Sequence, residues 1–466
     1  LDAPIIPVAG PVLTHIVSPV RLLDTLHLRF PAKFEQLLGI DDRARLDRFW
    51  KRLKALGHPL ARGLTVAELR TLVPLAIHED AGPFTKAASV NVISFSGVFG
   101  SGGEKVSQSP IASYIKAGPH SHDETQSVWA PILRELEELY TVGVGGFRFM
   151  PVFCKGDLEV RANAWGFANY NAVEPCSECP CNRSTIPYTD LSSTARWRGL
   201  VLGLDMYIAR AKRPLHPLLA CRWVWRFFFP LDCMHIMDCN GCTSIVAASV
   251  IRHLVLQERR LGANQQTRMN NINTLLVAFY DARPNSHRMP AIRLSNLVNE
   301  AGWAQLHGRA VKAANTRGLA PFLVQLAQAY YGDENDDYSR LVLRAVVNLD
   351  RFYNIMYDSG PFFTSDQLAE FKRVALRLGA ATQQLTEAAR LQGFLAWHIV
   401  PKMHYMMHLG ALAECINPRF VHNYMEDNQV GSMTKIWGRS AHGKYRRDAQ
   451  RLVRIKRLTA LYVRLE

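Results

Sequence analysis

Two pairs of residues pose the first chemical question. Cys176 and Cys179 stand in CxxC spacing within EPCSECPCNR, with Cys181 close by, and His404 and His408 stand four apart within VPKMHYMMHLG. Residues four apart on a helix project from one face, one above the other, so the two imidazoles form half of a ligand set. The two thiols supply the other half. Zn²⁺ takes four tetrahedral thiolate or imidazole ligands, and with all four positions filled by protein it is structural. A rival exists in Cys239 and Cys242, a second CxxC that would complete a Cys₄ site with Cys176 and Cys179. This CNGC motif reads as part of a helix, and therefore as packing. Without a metal, the thiols are incidental and the histidines are core residues with ordinary hydrogen-bond partners.

A second set is acidic. RTLVPLAIHED closes on Glu79 and Asp80, and GGFRFMPVFCKGD closes on Asp157. NPRFVHNYMEDNQVGSM reads as a helix beginning after Pro418, with Glu426 and Asp427 about two turns in, among aromatic, apolar and amide neighbours. Two-metal phosphoryl chemistry needs carboxylates that converge on two divalent cations about 4 Å apart. Mg²⁺ prefers oxygen ligands of this kind. The plain alternative is solvation, because acids are common at strand ends and on exposed helix faces. In LDCMHIMDC, Asp232 and His235 are three apart and share a helical face. They can bond to each other or approach an acidic site, or Asp232 can cap a helix.

The elements that must carry these residues follow from periodicity. Residues 20–70 read as helices with basic faces. RTLVPLAIHED and SVNVISFSGVF read as strands, VSQSPIASYI as a third, and GSGGEK as a turn. From Asp123 a helix places Val128, Ile132, Leu136 and Leu139 on one face, and residues 145–157 return as a strand. From Leu158 to about Val400 helical texture dominates, in LLACRWVWRFFF and SIVAASVIRHLVLQERRL among others.

Bulk composition narrows the class. The 466 residues are 48% hydrophobic and 20% charged, enough to bury a substantial core. No run approaches the roughly 18 uninterrupted apolar residues of a membrane span, so the expectation is a soluble protein with no membrane partner. The N-terminus lacks both a signal-peptide pattern and an initiator methionine, the expectation for a partial chain. Lys and Arg number 55 against 40 Asp and Glu, a net charge of +15 that points to a polyanion, most simply nucleic acid. In KYRRDAQRLVRIKR the cations Lys444, Arg446, Arg447, Arg451, Arg454, Lys456 and Arg457 alternate with apolar residues, the pattern of a helix that presents arginines to phosphates. Nine cysteines, odd in number and partly in CxxC pairs, favour a reducing intracellular compartment over a disulfide framework.

Taken in order, KGDLEV, PCSEC, LDCMH, PKMHYMMH and a Glu-bearing helix resemble the DDE transposases of the CACTA, Mirage and Chapaev group, and are more distantly similar to the catalytic subunit of the V(D)J recombinase. The resemblance covers residues from about 70 to 440. It implies an α/β RNase H-like core with a mixed sheet, interrupted by a large all-α insertion, in a chain that is helix-rich overall. The implied plan is an N-terminal helical segment (1–69), the first part of the core (70–165), a zinc-stapled helical insertion (166–400) and C-terminal helices completing the active site (401–466). The implied activity is DNA strand cleavage and strand transfer, with Asp80, Asp157 and Glu426 holding two Mg²⁺ or Mn²⁺ ions. Glu79 competes with Asp80 for the first position, and Asp427 with Glu426 for the third. Cys176, Cys179, His404 and His408 are the implied zinc ligands. Implied partners are double-stranded DNA, as transposon ends and target, and a second copy of the chain, in the nucleus. The usual N-terminal DNA-binding module is not evident, which fits a partial chain or a domesticated copy. A catalytically inactive DNA-binding descendant and a helical protein-interaction scaffold are the competing readings.

Overall fold

A computed structural model describes residues 5–7, 15–83, 89–101, 109–116, 122–284, 287–308, 311–332 and 336–440. The basic segment 444–457, with its seven candidate DNA-binding cations, and most of GSGGEK lie outside the described residues. The elements used below are strands β1 (Leu72–Pro83), β2 (Ser89–Gly97), β3 (Ser109–Lys116) and β4 (Arg148–Lys155). The helices are α1 (His122–Thr141), α2 (Leu158–Asn163), α3 (Cys242–Gln257), α4 (Asp337–Asp358), α5 (Ser365–Leu391), α6 (Pro401–Cys415) and α7 (Tyr424–Ser440).

The chain forms two compact units. One comprises Leu1–Asn169, Gly203–Asp232 and Phe420–Glu466; the other comprises Tyr170–Leu202 and Cys233–Arg419. These boundaries differ from a single insertion spanning 166–400. Residues 203–232 join the sheet-bearing unit, and the His404–His408 segment joins the helical one.

In the first unit, a mixed four-stranded sheet runs in the order β3-β2-β1-β4. The β1–β2 and β2–β3 pairs are antiparallel, and β1–β4 is parallel. The chain between β3 and β4 contains α1, whose Val128, Ile132, Leu136 and Leu139 are all buried, as their spacing requires. β1 and β4 are nearly continuous apolar runs, as expected of a strand pair covered on both faces. The segment LLACRWVWRFFF is not a helix. It makes one short turn, Pro217–Ala220, and then runs beside β4: Phe228 accepts a hydrogen bond from the Cys154 amide at 2.5 Å, and the Trp225 indole donates to Val152 at 2.9 Å. Its aromatics thus shield the polar edge that β4 would otherwise expose. Before the sheet, residues 19–70 form short helices, and Ile5–Pro7 pairs with His15–Val17 as a small ribbon in a stretch expected to be helical.

In the helical unit α4 packs on α5, and α5 packs on α6. Met403, His404, Tyr405, Met406, His408 and Leu409 are all buried, so most of α6 lies in the core, with Met407, Ala411 and Glu414 half-buried along one face. Cys233–Gln257 is long and apolar enough by composition to cross a membrane. However, it is broken at Asn240–Gly241, and 72% of that stretch is buried within the protein, as suits a core element.

Candidate functional site

The register of the sheet governs where the acids lie. β1 and β4 pair in parallel up to His78 opposite Lys155. Asp80 and Asp157 each stand two residues beyond that pair, at the same end of neighbouring strands. Side chains alternate along a strand, so Asp80 shares a face with His78 and Gly82, whereas Glu79 points the other way. Helix α7 covers the Asp80 face: a Cβ on Gly82 would lie 2.9 Å from Val430 and 2.7 Å from Thr434. Val90 and Val92, opposite Gly82 and Asp80, pack with Val430, Met433 and Trp437. At the start of α7, Glu426 is fully buried and forms an ion pair with Lys155, itself 4% exposed. The chain therefore closes a contact across 271 residues.

Helix α7 begins at Tyr424, so Glu426 and Asp427 lie in its first turn rather than two turns in. Pro418–Phe420 forms a separate short turn ahead of it. Acids in a first turn also complement the helix dipole. Asp427 is only half-buried, and Glu426 is the one that faces β4.

Asp157 is the N-cap of α2, its carboxylate accepting from the Val160 amide at 2.6 Å. Gly156 before it has a steric reason: an added Cβ would sit 2.7 Å from the Trp165 ring. Trp165 in turn donates its indole N–H to Glu79 at 2.9 Å. Glu79, on the opposite face from Asp80, also accepts from Asn91 at 2.9 Å and faces His216 at 3.8 Å. Burial, followed by the charge of Glu79, pushes the Tyr114 phenol upward. Glu79 is thus the hub of a structural network, while Asp80 is half-buried with one oxygen on the Ala81 amide. Asp232 is buried and accepts from the Asn423 amide at 3.1 Å, just ahead of α7; His235 belongs to the helical unit.

The helical unit holds the other candidate. Ligand atoms of Cys176, Cys179, His404 and His408 all lie within 4.8 Å of one another, and all four residues are buried. His404 Nε2 is 3.3 Å from Cys179 Sγ and 3.0 Å from His408 Nε2. Ligands at ~2.0–2.3 Å around a tetrahedral ion are separated by roughly 3.3–3.8 Å, so the spacing fits one shared cation. The Glu178 amide donates to Cys176 Sγ, the Tyr405 hydroxyl pins the Pro175 carbonyl, and the Trp197 ring stands 4.3 Å from that of His404. Burial pushes the Cys176 thiol well up and the His404 imidazolium well down, the latter helped by His408 and Arg198. Without a metal, burial therefore favours the neutral thiol at Cys176 and the neutral imidazole at His404. A metal such as zinc can be held here.

Among the described residues this is the only such group of three or more His, Cys, Asp or Glu side chains. The Cys₄ alternative is therefore set aside. Cys239 and Cys242 flank a helix break, not a helix interior, with Asn240 at φ 48° and Gly241 so close to Ile236 that a Cβ would meet its carbonyl at 2.1 Å. Burial pushes the Cys242 thiol up to about 12. Asp80, Asp157 and Glu426 are not gathered into a comparable cluster.

No known protein-family model and no curated protein matches the chain.

Lys155, Gly156 and Trp165 were not singled out by sequence reasoning. The available signal was KGD itself: a lysine at the end of an otherwise apolar strand, directly before an acid.

Proposed function

We propose that the chain is a DDE-type transposase catalytic region, which cleaves DNA strands and joins the freed 3′-hydroxyl to a target. The observation that carries this reading is the Lys155–Glu426 pair, because it sets Glu426 at the end of the strand that leads to Asp157, on the face that Asp80 shares. The strand order β3-β2-β1-β4, with a parallel β1–β4 pair, supports the reading, because it sets the ends of the first and fourth strands side by side. Asp80, Asp157 and Glu426 would hold two Mg²⁺ or Mn²⁺ ions, which activate the attacking oxygen and stabilise the leaving one. In this reading the cation of the Cys₂His₂ cluster is Zn²⁺, with every position closed by protein and no part in catalysis. Double-stranded DNA as substrate, assembly of paired copies, and a nuclear location belong to the same proposal.

A second reading has its own support. Asp157 caps α2 and Glu426 is engaged with Lys155, an arrangement that also suits a domesticated DNA-binding descendant that no longer cuts. Nicking of duplex DNA with Mg²⁺ or Mn²⁺ separates the two. Transposase chemistry requires divalent-dependent nicking that falls about a hundredfold or more in Asp157→Ala. DNA binding with no nicking in the parent chain would favour the descendant.

A further inference from the structure

Lys155 stands where its strand would otherwise carry an apolar side chain, since Phe149, Met150, Val152, Phe153 and Cys154 are all fully buried. Enclosing an ammonium and a carboxylate together is no more stable than a well-packed apolar pair, and is often less so. Stability alone does not explain the pair. Its position does suggest a role: Lys155 sits opposite His78, one alternation before Asp80 on one side and Asp157 on the other, with Glu426 above it. The ammonium is thus bonded to the carboxylate that a cation at this end of the two strands would need.

Resting on the two-metal reading, we propose that Lys155 is a positioning residue that holds Glu426 against β4 when no divalent ion is present and competes with that ion for the carboxylate. Glu426 stays buried and ordered on the strand without metal, and a divalent cation gains it only by displacing the ammonium. Lys155 thereby sets the cation concentration at which the third acid becomes available.

The test is Mn²⁺ binding to the full-length, zinc-loaded chain, read as the loss of the free-ion electron paramagnetic resonance signal. Lys155→Met, close in length, and Lys155→Gln, which keeps a donor for Glu426, should each tighten Mn²⁺ binding about tenfold or more, because the buried carboxylate then lacks its counter-ion. Adding Glu426→Gln to either should abolish the gain. Thermal unfolding identifies the folded variants, and Lys155→Gln carries the test if Lys155→Met does not fold. If the parent chain binds Mn²⁺ through Glu426 and neither Lys155 variant binds it more tightly, the role of Lys155 is refuted while the two-metal reading stands. If Glu426→Gln changes Mn²⁺ binding in no background, both fail.

Discussion

Two sets of candidate cation ligands were legible in this chain, and they reach the folded state differently. The sulfur and imidazole set is drawn together, with four ligand atoms within 4.8 Å, while the three carboxylates are each engaged separately. The difference lies in charge. Burial pushes the Cys176 thiol up and the His404 imidazolium down, so these two ligands can be enclosed without an ion at little electrostatic cost. Carboxylates repel: two unit charges about 4 Å apart oppose each other by roughly 4 kcal/mol at an effective dielectric of 20. The fold satisfies Asp157 with the amide of Val160 and Glu426 with Lys155. A neutral site can be built before its metal, whereas an anionic one needs stand-ins.

The sharpest way to break this comparison is to remove a ligand from the neutral site. Cys179→Ser or His404→Ala should lower zinc content from about one ion per chain toward zero and cost at least ~4 kcal/mol of stability, since metal-binding energy is folding energy. Elemental analysis and denaturant unfolding check both; full stability without zinc would show that the cluster is ordinary core.

Acid should distinguish the units next. His58, buried against the Trp225 ring and capping Pro59–Gly63, has its pKa lowered to about 4 by burial. Its folded value lies below the unfolded 6.5, so its contribution is present above pH 6.5 and is lost as the pH falls toward 4. The expected loss is about 3 kcal/mol. Urea unfolding at pH 7, 5 and 4 measures it, and His58→Asn, which keeps a cap acceptor, should flatten the profile.

Smaller effects probe how Asp157 is held. Trp165→Phe removes a buried donor from Glu79 and should cost about 2 kcal/mol. Gly156→Ala forces a methyl against that ring and should cost about 1–3 kcal/mol, at the lower end if the ring yields. On the two-metal proposal both slow divalent-dependent nicking, and both should leave zinc content unchanged, because they lie in the sheet-bearing unit. Zinc loss in either variant would mean that the two sites are coupled.

What the sequence disclosed depended on the range of the signal. CxxC and HxxxH are local spacings, and both survived folding intact. The strands and α1 followed from alternation and a one-face stripe at Val128, Ile132, Leu136 and Leu139. The aromatic run 218–229 misled because its residues pack against a strand edge, a tertiary demand with no local period. For Lys155 the KGD spacing marked a lysine on an apolar strand but not its partner, because its burial depends on Glu426, 271 residues away. Glu79 and Asp80 occupy opposite faces of β1, and which of those faces α7 covers is decided by tertiary placement that no local spacing records.

The Cys179–His404 contact closes over 225 residues, and this has a consequence for synthesis. A ribosome adding ~5–20 residues per second needs roughly 10–45 s to deliver the imidazoles after the thiols have emerged. For that interval Cys176 and Cys179 are bare sulfhydryls on a growing polypeptide, open to oxidation or to capture by the wrong metal. Yield of the native protein should therefore respond to the redox state and zinc supply of the cell during translation.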